Sequence, residues 1–219
     1  MENIIDALGL SDLTWSEREG RYYYPNGRAV PQRAVNQLIQ RVQAGYLTDV
    51  IEATNRLVRN EVSLASWERV VAESVRDAHV QAMRIGRGGK DQTYGIHYLD
   101  VANELRRNQY PYLRKMVEDL RDGKLSRKQL DQRLASYIRG SRVSYQKGVA
   151  SRQTQYAVRK INDRAENCPD CIRYFAMGIR PVGELPLPMT ACQCRTNCKC
   201  SIHYGSYEDL LKLRNGWLN

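Results

Sequence analysis

Phenylalanine is nearly missing: one Phe stands against fourteen Tyr and three Trp in 219 residues. Cores normally draw on Phe, whereas a Tyr hydroxyl seeks water or a hydrogen-bond partner. Many of the tyrosines are therefore expected at domain surfaces and protein interfaces. No apolar run approaches the roughly 20 residues that a membrane span needs. The opening MENIIDALGLSDLTW carries acids where a signal peptide has lysines. The expectation is neither membrane insertion nor secretion. Histidine is scarce too, with His79, His97 and His203 far apart. No Ser-His-Asp, His-Glu-x-x-His or paired-carboxylate pattern appears, so nothing in the sequence points to catalysis. Cysteine is absent from the first 167 residues, yet six cysteines fall between 168 and 200. Such clustering points to one local metal or disulfide site.

The apolar pattern is mostly of helical period and predicts a mainly α protein. The expected form is a helical bundle with a short N-terminal β-hairpin and a C-terminal, zinc-knuckle-like β/loop module. Three segments are expected. Residues 1–46 form an N-terminal arm, in which GRYYYPNGRAVP makes two short extended strands around Pro25-Asn26-Gly27; Gly27 supplies the positive φ of the turn. A short helix from about Pro31 to Val42 follows. Residues 47–164 form a helical domain. Within it, Ser63 is expected to cap a helix that stops in RIGRGGK, and Pro111 to kink or split the next one. Ser126 and Gln129 form a capping box, opening one long helix over about 126–164. Residues 165–219 form the cysteine-rich module, which closes on a short helix capped by Ser206.

Charge is concentrated in that long helix. Residues 127–164 hold ten cations and two acids, +8 of the chain's +10. An ordinary surface helix alternates signs and gains about 0.2–0.5 kcal/mol per i,i+4 pair. Two readings follow: a solvated face balanced by acids of neighbouring helices, or a contact for phosphates or an acidic protein ring. The second makes Arg133, Arg139, Arg142, Lys147, Arg152, Arg159 and Lys160 the contact residues. Without a groove-reading motif, binding to double-stranded DNA is expected to be sequence-independent and salt-dependent. A lesser basic spot, Arg84, Arg87 and Lys90, lies at the glycine-rich turn.

The cysteine spacing is Cys168-x2-Cys171-x20-Cys192-x-Cys194-x3-Cys198-x-Cys200. Two thiolates two residues apart on a tight turn can point at one ion, and a second group about twenty residues on suits a four-cysteine zinc site. Cys198-Lys-Cys200 makes shared chelation awkward. The expected ligands of a structural Zn2+ are therefore Cys168, Cys171, Cys194 and Cys198, with Cys192, Cys200 and His203 as alternates. Cys192 and Cys200 then pair as a disulfide or remain spare, and pairing of all six in disulfides stays open. A structural zinc adds roughly 10–16 kcal/mol of apparent binding free energy to folding.

The segment CPDCIRYFAMGIRPVGELPLPMTACQCRTNCKCSIHY resembles the C-terminal motif of the head morphogenesis, or minor head, proteins of tailed phages, of the phage Mu F and SPP1 gene-product-seven type. Their pattern is Cys-x2-Cys, a spacer with Gly and Pro, and a closing Cys-basic-Cys before a short strand. Here these are Cys168 and Cys171, then Gly178 to Pro188, then Cys198-Lys199-Cys200. Many members have His-Pro before the closing cysteines, where this chain has Arg195-Thr196, and Cys194 takes the lost ligand's place. The resemblance implies a non-enzymatic virion protein, made in the host cytoplasm. It implies association with phage portal or capsid proteins at the portal vertex or capsid interior, or with packaged DNA. A head-to-tail adaptor and a free zinc-dependent nucleic-acid-binding protein are the alternatives.

Overall fold

Stripes of helical period become helices throughout the middle of the chain. The computed structural model describes residues 12–17, 19–89, 94–151 and 155–218, and it is mainly α. The chain forms two units. One comprises Met1–Val30, Gly86–Lys90 and Tyr145–Asn219; the other comprises Pro31–Ile85 and Asp91–Ser144. The expected boundaries at 46 and 164 are thus replaced by a division in which both chain ends belong to one unit.

The second unit is helical. Helix α1 (Gln32–Val58) runs through the boundary expected at residue 46. Its buried face, Val35, Leu38, Ile39, Val50, Ala53 and Thr54, keeps its period past Gly45. A lone helical Gly costs about 1 kcal/mol, too little to stop a helix packed along one side. Helix α2 (Leu64–Gly86) begins where expected, with the Ser66 N–H donating to Ser63 Oγ at 3.1 Å. Pro111 splits the next stretch into α3 (Tyr94–Asn108) and α4 (Tyr110–Arg121). Helix α5 (Arg127–Arg139) opens on the expected capping box: Ser126 Oγ accepts from the Gln129 N–H, and Gln129 Oε1 accepts from the Ser126 N–H. The core gathers Val50, Trp67, Val71, Val75, Leu105, Met116, Leu130 and Leu134 among others. Inside it, the Trp67 indole donates to Thr54 Oγ1 at 2.9 Å, and that hydroxyl donates to the Val50 carbonyl at 2.7 Å. Removing two polar groups from water is tolerated because each has a partner.

The long helix expected over 126–164 is corrected. Helix α5 ends at Arg139, α6 (Ser141–Ala150) follows Gly140, and Tyr156–Lys160 is a β-strand. YAVRK has the β-branched and aromatic content of a strand, and its basic residues hid that signal.

The first unit is built around this strand. A hairpin, β1 (Thr14–Ser16) and β2 (Arg21–Tyr23), lies at its start. The Pro25-Asn26-Gly27 turn also forms, closed by the Gly27 N–H to the Tyr24 carbonyl and followed by the bridge between Tyr23 and Ala29. The tight hairpin therefore lies one turn earlier than expected. The main sheet is antiparallel in the order β4 (Arg180–Pro181), β3 (Tyr156–Lys160), β5 (Ser201–Gly205). Its register pairs Ala157 with Tyr204 and Arg159 with Ile202. Residues 157 and 159 therefore share one face, while 156, 158 and 160 share the other. Helix α7 (Pro169–Ala176) lies on the Arg159 face, with Tyr174 against its guanidinium. Helix α8 (Tyr207–Leu218) lies on the opposite face, where Tyr207 meets Tyr156 and Trp217 meets Lys160. The expected Ser206 cap forms, accepting from the Asp209 N–H at 3.2 Å. Not all tyrosines lie at surfaces: Tyr22, Tyr145 and Tyr204 are buried in this unit. With Phe scarce, Tyr fills the core here, while Tyr112 and Tyr207 remain exposed.

Candidate metal centre

Cys168-Pro-Asp-Cys171 folds as the start of α7. Cys168 is the N-cap, Pro169 occupies the first turn where no N–H is needed, and Cys171 follows three residues after the cap. That spacing turns both thiols to the same end of the helix, whose dipole favours negative sulfur. The second group comes from three consecutive tight turns. The Arg195 N–H donates to the Cys192 carbonyl, the Asn197 N–H to the Cys194 carbonyl, and the Cys198 N–H to the Arg195 carbonyl. Arg195 takes a left-handed φ of 42° to make this path. Asp170 ties the two segments together: its carboxylate accepts from the Gln193 N–H and from Arg173, each at 3.1 Å.

All six thiols meet. Cys171, Cys192, Cys194 and Cys198 have sulfurs within 4.8 Å of one another. Cys194 Sγ lies 3.4 Å from Cys192 and 3.5 Å from both Cys168 and Cys171, while Cys171 and Cys198 are 3.7 Å apart. A tetrahedral ion with sulfurs at about 2.3 Å sets those sulfurs roughly 3.8 Å apart. The cluster therefore has the dimensions of a metal–thiolate site. Against the expected set, Cys192 joins the mutual foursome, and Cys168 stands at its edge, touching Cys194. All six are free cysteines, so neither the disulfide left open between Cys192 and Cys200 nor pairing of all six is present. His203 points elsewhere: its Nε2 lies 3.1 Å from Ser201 Oγ, and its ring packs on Trp217. Burial, aided by Arg21 and Lys160, lowers its pKa to about 4 and leaves it neutral.

The electrostatics are those of thiols competing for one negative charge. The Cys198 thiol is drawn down to about 4, first by the hydrogen bond from Cys200 and further by the Cys200 and Met189 N–H groups. Burial opposes ionisation at Cys168, but the Cys171 and Cys194 N–H groups outweigh it and bring the thiol to about 7. Burial pushes Cys171 up to about 12, and Cys194 and Cys200 are raised as well. One thiolate opposes the next until a cation lies between them.

Arg159 was expected on a phosphate-binding surface, and the structure corrects this: its exposure is 0%. One guanidinium nitrogen lies 3.8 Å from Cys171 Sγ, another donates to the Pro186 carbonyl at 2.6 Å, and the group stands over the Tyr174 ring. Among the described residues no carboxylate pairs with it. A buried cation without a counter-charge costs several kcal/mol, and the Cys171 sulfur is the ionisable group beside it among the described residues. Asp170 is not among the residues singled out from the sequence, and Arg159 is singled out there only as a phosphate contact. Asp170 was legible as the acid inside the Cys-x2-Cys turn; Arg159 becomes visible only once YAVRK is read as a strand.

The other expected contact residues do not form one stripe. Arg133 pairs with Asp119 at 3.1 Å, which holds that carboxyl below its ordinary range. Arg139 is exposed, whereas Arg142 and Lys147 are half-buried and already engaged. Lys160 stands 5.0 Å from the Trp217 ring centroid, and Arg152 lies outside the described residues, as does Lys90. Arg84 is buried and bonds Gln81, so the glycine-rich turn presents no open cationic cradle from it. His79 is a buried histidine against Ser144 Oγ at 2.8 Å.

No family model, curated protein or solved structure matches the chain. No helix among the described residues is long and apolar enough to cross a membrane.

Proposed function

We propose that the cysteine cluster holds zinc as a structural ion. We further propose that the chain is a non-enzymatic minor head protein of a tailed phage, docked on portal or capsid proteins. One observation carries the metal reading: the thiols stand at tetrahedral spacing, and one of them, Cys171, lies 3.8 Å from a buried arginine that pairs with no carboxylate among the described residues. Neutral thiols or disulfides would leave that charge uncompensated, whereas a zinc tetrathiolate has a net charge of −2. A ligand set made wholly of cysteine leaves no open coordination position for a substrate, which is the pattern of structural zinc. The virion reading rests on the resemblance of residues 168–204 to the phage motif. The basic net charge, +10, is compatible with a place beside packaged DNA. Among the described members of the expected DNA-contact set, Arg133 and Arg139 are exposed, and Arg133 is paired with Asp119.

Two measurements test this. Metal analysis of protein purified under reducing conditions should find zinc, and Cys198→Ser should lose it together with stability. Zinc below about half an equivalent, with Cys198→Ser unchanged, overturns the metal reading. For the virion reading, the chain should be recovered in fixed stoichiometry from purified particles and bind DNA only weakly alone. Absence from particles, with tight DNA binding at physiological salt, would instead identify a free nucleic-acid-binding protein. A copy number matching a ring at the vertex would identify the head-to-tail adaptor.

A further inference from the structure

A tetrahedral ion uses four sulfurs, and six converge here. The two left over, Cys168 and Cys200, are not bystanders at a distance. Cys168 rests on Cys171 and Cys194, whereas Cys200 rests on Cys171 and Cys198 and is 1% exposed. They flank the mutual foursome, each against a different member and both against Cys171. Cys171 thus touches Cys168, Cys194, Cys198 and Cys200. The geometry points to a two-metal cluster in which six thiolates hold two zinc ions and Cys171 is a shared, bridging sulfur. Two tetrahedral ions offer eight coordination places, and six sulfurs fill them when two are shared. Cys168 then completes the ion on one side of Cys171 and Cys200 the ion on the other. The second shared sulfur comes from the mutual foursome. The net charge of two Zn2+ and six thiolates is −2, so Arg159 serves this cluster as it would a single tetrathiolate.

This inference rests on the metal reading above, and stoichiometry separates the two. The full-length protein, reduced and titrated with Zn2+, should take up about two equivalents. Cys168→Ser/Cys200→Ser, which leaves the foursome intact, should take up about one. Substitution with Cd2+ should show two 113Cd resonances in the range of all-sulfur coordination, each coupled to the other through a bridging cysteine. One equivalent and a single resonance in the unmodified chain would overturn the second ion and leave the first standing. No metal uptake by the reduced protein would overturn both. The cadmium measurement uses the unmodified chain, so it decides the question even if the double variant fails to fold.

Discussion

Arg159 shows how one side chain reports on the ionisation of its neighbours. Its guanidinium is sealed beside Cys171 and donates to a single carbonyl, while its Nε has no partner. If the thiols were neutral, replacing it with an apolar residue of similar length would remove an unpaired charge and raise stability. If they hold metal as thiolates, the same change removes a favourable charge next to the ligands. We expect Arg159→Met to weaken zinc affinity by about 10–100-fold, the scale of outer-sphere changes at metal sites. Competition against a chromophoric chelator measures this. Unchanged affinity with higher stability would show that the sulfurs are not ionised. The cysteines themselves are legible as a candidate metal site from spacing alone. Which of them stand closest is not, because Cys192 and Cys200 reach the cluster through the turns at 192–198 and the start of β5.

At the scale of elements, local signals did well where they were self-contained. Ser63, Ser126 and Ser206 all cap helices, and Pro111 separates two. These depend on a few neighbouring residues and so survive any tertiary arrangement. Ser126→Ala should cost about 1 kcal/mol, read as a lower midpoint in denaturant at constant slope. The close approach of α6 to Gly86 was not legible. A Cβ at Gly86 would stand 2.2 Å from the Tyr145 carbonyl oxygen, a backbone atom that cannot swing aside. Gly86→Ala should therefore destabilise by about 1–3 kcal/mol, although the same change in an exposed helix would stabilise. Thermal unfolding of the variant gives the sign directly. The cations of Tyr156–Lys160 match those before it and disguise a strand as the end of a helix. A strand of five residues carries too little periodic signal to overrule such a pattern.

At the scale of the whole molecule, the two units differ in what holds them. The helical unit has a continuous apolar core, including Trp67, Leu105, Met116, Leu134 and Ile138. In the other unit, Cys171, Cys192, Cys198 and Cys200 are themselves part of the buried set, beside Val158, Tyr204 and Leu210. Removing metal should therefore act unevenly. A chelator added under reducing conditions is expected to abolish amide protection in β3 and β5, while α1, α2 and α5 remain protected. Hydrogen exchange resolved by residue checks this. Loss of protection in both units at once would show that they unfold as a single cooperative body.

The sequence by itself determined the helical class, the helix caps, the break at Pro111 and the presence of a thiol site, because each is written in residues close together along the chain. Only the tertiary structure decided that the basic segment ends as a buried strand, that Arg159 faces sulfur instead of phosphate, and that all six thiols share one cluster. Those outcomes depend on register between β3 and β5 and on which faces α7 and α8 cover. Spacing along the chain does not encode such long-range pairing; packing selects it.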